Sequence, residues 1–102
     1  MQQFVGERMR KVLHHEARIV AHESGIEGAD ARALVTLAER LRTLQDRGLA
    51  EVPSTRLLIA AGQLIASGVE RRRACDVAIV TPLSDEPMLL GAMRDLVEAT
   101  FV

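Results

Sequence analysis

The sequence predicts an all-α fold, a small bundle of about five helices, on three observations. Apolar residues recur at helical spacing in one window after another, with no stretch of strict alternation. Glycine, proline and serine punctuate the chain between those windows. Of 102 residues, 48% are hydrophobic but only 2% aromatic, with no Trp or Tyr, so Leu, Val, Ile, Ala and Met must build the core.

From Glu7 to about Ser24, Met9, Val12, Leu13, Ala17 and Val20 form an apolar stripe, with Arg8, Arg10, Lys11, His14 and Arg18 elsewhere. Gly25 ends this helix and Ile26 supplies the apolar contact that often follows a glycine cap. A second helix should run from about Ala29 to Asp46, burying Leu34, Leu37, Ala38, Leu41 and Leu44 and leaving Arg32, Glu39, Arg40 and Arg42 in water. Gly48 stops it, and residues 49–52 connect to the next element. After Gly68, a shorter helix from Val69 to about Val80 turns Ala74, Val77 and Ala78 inward until Thr81-Pro82 breaks it. Ser84 or Asp85 then caps a last helix, with Glu86 and Pro87 in its first turn and Leu89 or Leu90, Met93, Leu96, Val97 and Phe101 inside.

The stretch between, near residues 54–67, reads as a buried central helix. Pro53 excludes the helical conformation for the residue before it, Ser54 caps the first turn, and Gly68 ends the run. Arg56 and Gln63 are its strongly polar side chains, and a helix so apolar is normally covered on most faces. Arg56 is out of place, because a positive charge in a first turn opposes the helix dipole. Two readings of it stay open on the residues alone. The guanidinium snorkels off the end of a buried helix, or it joins the free amides there in seating a phosphate.

Thirteen basic and 14 acidic residues nearly cancel, so nucleic acid is not an expected partner. Cys75 is the only cysteine, which excludes an internal disulfide and a thiolate cluster for zinc. The longest apolar run, about residues 57–69, is too short to cross a bilayer, and the first residues lack a signal-peptide layout; a soluble, cytoplasmic chain is expected. His15 and His22 sit about 10 Å apart along a helix axis, and Ile19 holds the position where a zinc-protease helix places its second histidine. All three histidines therefore read as surface residues, with no metal site. Arg71-Arg72-Arg73 reads first as a solvated helix face and next as an interface; a helix-turn-helix contact is a weaker third reading. The chain has no phosphate loop, no nucleophile elbow and no acidic cluster suited to magnesium, so no catalytic residue is assigned and the chain alone is not expected to be an enzyme.

Taken together, residues 16–26 (EARIVAHESGI), Leu34 to Leu44, residues 54–65 (STRLLIAAGQLI) and residues 74–85 (ACDVAIVTPLSD) resemble the C-terminal part of the CbbQ/NirQ/NorQ proteins. These are MoxR-type AAA+ ATPases, with the GvpN gas-vesicle proteins as relatives. The resemblance covers residues 15–102 as a lid-like domain and leaves 1–14 as an unmatched N-terminal segment of the same folded unit. It implies the helical lid that follows a nucleotide-binding core, with Arg56 as the sensor-2 residue near the terminal phosphates and Ser54 as its supporting cap. It further implies ATP and magnesium as cofactors of a full-length ATPase, though neither is expected to bind the isolated chain. The implied partners are the nucleotide-binding core, neighbouring subunits of a ring and a von Willebrand factor A-domain protein. The implied activity is ATP-driven, chaperone-like activation of a client enzyme such as Rubisco or nitric oxide reductase. The alternative reading is a stand-alone helical interaction module, for which a homodimer fits the broad apolar faces.

Overall fold

A computed structural model describes residues 2–102, with side chains from Gly6 onward. Helix α1 runs Gln2–Ser24, α2 Gly28–Arg42 with a 3-10 turn Thr43–Arg47, and α3 Thr55–Ala66. Helix α4 spans residues 71–83 in three parts: α-helical Arg71–Cys75, a wide π turn Asp76–Val80, and a last turn Thr81–Leu83. Helix α5 is Pro87–Thr100. Among the described residues there is no strand, and the five-helix, all-α expectation holds.

The backbone stops where glycine allows it. Gly25, Gly48 and Gly68 all take positive φ, as their places at the ends of predicted helices require. At Gly68 (φ 103°) the chain turns back far enough for the Val69 amide to reach the Leu64 carbonyl at 3.0 Å, closing the end of α3.

Helix α2 is the core element. Leu34, Leu37 and Leu41 have no exposed surface, each burial contributing about 1.5–3 kcal/mol, and Ala31, Val35 and Ala38 complete the stripe. Helix α1 crosses it with Ala17 and Val20 buried and Leu13 half-buried. Helix α3 is less covered than the expected buried rod. Leu58, Ala61 and Gly62 are enclosed, while Leu57, Ile59, Ala60, Leu64 and Ile65 pack against the core with one side open. Among the described residues no further helix covers that side.

Four further details depart from the sequence pattern. Helix α1 starts before Glu7, and its early apolar positions Met9 (42% exposed) and Val12 (62%) project past the end of the core. Helical periodicity continued there beyond the packing partner. Pro82 does not break α4 before it. The π turn shifts the Thr81 amide to the Asp76 carbonyl, five residues back, and the widened backbone admits a residue that has no N–H and crowds the preceding turn. The extra residue also turns Val77 outward (52% exposed) while Ala74 and Ala78 stay buried. The cap of α5 is Glu86 rather than Ser84 or Asp85. Its carboxylate accepts from the Met88 and Leu89 amides, and the Ser84 hydroxyl accepts from the Glu86 amide.

Charged contacts then fix the elements around the core. Arg71 binds Asp30 through two hydrogen bonds (2.7 and 3.1 Å), tying the start of α4 to that of α2, and Arg94 holds Asp76 at 2.8 Å. Glu70 caps α4 by accepting from the amides of Arg73 (3.0 Å) and Arg72 (3.2 Å), which holds its pKa below the ordinary 4.5. A carboxylate with a depressed folded-state pKa contributes its full stability above the unfolded value and loses it as pH falls through the folded one. Glu70→Gln is therefore expected to flatten part of the acid limb of stability below 4.5, measured by urea unfolding from roughly pH 6 to 3. An unchanged acid limb would show that the cap carries no pH dependence.

Candidate functional site

The start of α3 is held from two sides. Ser54 adopts an extended conformation (ψ 165°) and its hydroxyl accepts from the Leu57 amide at 3.4 Å, a long contact, while its carbonyl takes the Leu57 and Leu58 amides. Pro53, just before, is buried. Thr55 donates its hydroxyl to the Glu16 carboxylate at 2.7 Å, a partly buried bond that pins the first turn of α3 to the middle of α1. Sequence reasoning missed this bond, since nothing at either position signals a partner 39 residues away.

On that anchored turn Arg56 is exposed. Among the described residues it has neither a hydrogen bond nor an ion pair, whereas Arg42, Arg71 and Arg94 each hold a carboxylate. Ser54 takes the Leu57 and Leu58 amides, which leaves the exposed guanidinium and the Thr55 and Arg56 amides of the same turn for an anion with several oxygens. A groove of about 700 Å³ lined by Asp30, Gly68, Arg71 and Phe101 lies at the opposite end of α3 and plays no part here.

The remaining sequence candidates do not gather at this site. His14, His15 and His22 are exposed along α1, and among the described residues no group of three or more His, Cys, Asp or Glu comes together to hold a metal. Arg71 and Arg72 are engaged, by Asp30 and by the Phe101 carbonyl, so the basic run is partly spent on tying helices together. Cys75 is fully enclosed, and burial, with Glu70 and Asp76 nearby, pushes its thiol up to about 12. We expect it to resist iodoacetamide at about pH 8 in the folded protein and to react once denaturant is added. Fast alkylation of the native chain would show that the helices around it open readily. No helix among the described residues is long and apolar enough to cross a membrane.

Comparison with known proteins adds the following. Residues 16–100 match the family described as CbbQ/NirQ/NorQ C-terminal. The chain is 45% identical over 86 residues to Protein CbbQ of Hydrogenophilus thermoluteolus, covering 84% of this chain and 32% of that protein. It is 48% identical over 83 residues to the denitrification regulatory protein NirQ of Pseudomonas aeruginosa, covering 81% and 32%. It is 38% identical over 86 residues to Protein NorQ of Paracoccus denitrificans, covering 84% and 32%. The chain thus spans about a third of the length of the curated relatives it matches.

Proposed function

Because the chain belongs to the CbbQ/NirQ/NorQ C-terminal family, we propose that it is the helical lid of a MoxR-type AAA+ ATPase and that Arg56 is its nucleotide-sensing residue. The observation that carries the proposal is an outward, unpartnered guanidinium on a turn anchored by Ser54 and by the Thr55–Glu16 bond, inside the matched segment. What this chain offers a nucleotide is that guanidinium together with the Thr55 and Arg56 amides, which Ser54 does not engage. The residues present fit a contact to terminal phosphate oxygens and do not form a magnesium site, which falls to the nucleotide-binding core along with the phosphate loop.

The chemistry follows from charge. Bound ATP supplies a terminal phosphate that ADP lacks, so a lid arginine gains a charge-assisted, two-pronged contact in one state and loses it in the other. The lid equilibrium shifts by that difference in affinity, and hydrolysis becomes movement. Ser54 and Glu16 contribute by fixing the base of Arg56, so that its reach is set by the position of α3 rather than by a loop. In a ring of such subunits, with a von Willebrand factor A-domain partner, that movement would serve to activate a client of the Rubisco or nitric oxide reductase kind. The test is ATP turnover by the longer protein that carries this segment, with Arg56 and with alanine in its place.

A further inference from the structure

We propose that the groove between α1 and α2 receives an acidic amphipathic helix from a partner protein. The groove encloses about 670 Å³. Arg10, Lys11 and Arg18 of α1 and Arg32 of α2 line it, over a floor that includes Leu13 and Val35, and no carboxylate lines it. Arg10 and Arg18 lie two turns apart on one stripe of α1, about 12 Å along the axis. Among the described residues none of the four cations has a hydrogen-bonded or ion-paired partner within the chain, unlike Arg42, Arg71 and Arg94. Positive charges gathered without a counterion repel one another, and an acidic occupant relieves that cost.

The chemistry selects the occupant. A nucleic-acid surface would call for an extended basic face, whereas this groove has an apolar floor, only the His14 and His15 imidazoles as ring side chains and a chain of net charge −1 behind it. A membrane surface would need its apolar residues on a projecting face, and here they are recessed between two helices. A helix with carboxylates one turn apart on its flanks and leucines between them meets both the rim and the floor. Arg10, Lys11 and Leu13 precede the family-matched residues 16–100, and the groove lies on the side of α1 away from Thr55 and Arg56. The inference therefore stands apart from the nucleotide-sensing reading.

The probe is a fluorescein-labelled peptide of about 14 residues with Glu at i and i+4 and Leu on the facing stripe, titrated with the 102-residue chain at about 0.15 M salt. Saturable binding is expected, weakened at least about tenfold by Arg18→Glu combined with Arg32→Glu and unchanged by Arg47→Glu, which lies outside the groove. Circular dichroism checks that the variants are folded. Should the charge reversals melt the chain, Arg10→Gln with Lys11→Gln, at exposed positions, carries the same test. No binding up to about 1 mM, equal binding of a scrambled peptide, an unaffected reversal variant, or tighter binding to duplex DNA or phosphatidylserine vesicles would each overturn the proposal.

Discussion

Arg56→Ala in the longer ATPase is expected to lower ATP turnover by roughly 100-fold, the order of effect seen when one preorganised donor is taken from a developing negative charge. The loss should fall mainly on kcat, because a contact to the terminal phosphate counts for most where charge is moving. Arg56→Lys should recover only part of it, since an ammonium keeps the charge but not the two-pronged geometry. The domain itself should not notice either change. The side chain is exposed and bonded to nothing else in the described chain, so stability should stay within about 0.5 kcal/mol of the parent. Turnover equal to the parent's would remove Arg56 from the mechanism and leave the family assignment standing.

The second large effect belongs to Gly62. A Cβ at this position would sit 2.5 Å from the Ser24 hydroxyl oxygen, 2.7 Å from Ser24 Cβ and 3.2 Å from a terminal methyl of Ile26. Ser24 cannot step aside easily, because its hydroxyl donates to the Val20 carbonyl at 2.6 Å and its Cβ is fixed by the last turn of α1. Gly62→Ala improves helix propensity by up to about 1 kcal/mol, yet forcing a methyl into a closed contact costs about 1–3 kcal/mol and separates α1 from α3. We expect a net loss of about 1–2 kcal/mol, or ~5–10 °C in a thermal melt, and failure to fold for Gly62→Val. Ser24→Gly in the Gly62→Ala background should restore part of the loss, a coupling that a purely local helix effect would not produce. A rise in melting temperature for Gly62→Ala alone would mean that the two helices are free to part.

These two residues illustrate what could be read from the chain and what could not. The leucine stripe of α2 was legible because 3.6-residue periodicity and burial coincide over its whole length. Arg56 was legible as an oddity, since a cation in a first turn contradicts the dipole, although two meanings stayed open until the resemblance supplied a ligand. Gly62 was invisible: a glycine within an apolar run carries no mark of the serine that will lie against it. Helix α4 misled for a related reason. The proline rule is a statement about regular α-helix, and the backbone met it by widening one turn instead of ending. The cationic groove stayed hidden as well, because its charges are split between two helices and each alone reads as an ordinary wet face.

That widened turn has a consequence for the last third of the molecule. By absorbing one residue, it resets the phase of the turn that follows by roughly 100°, so Thr81–Leu83 leave α4 in a direction that an unbroken spiral would not have given, and the extended backbone at Ser84 carries the chain from there to α5. Removing a single amino acid from positions 76–80 would therefore act less like a trimmed loop than like a twist of the handle on a key, turning Thr81–Leu83 and the exit of the chain while the teeth of α5 keep their own spacing.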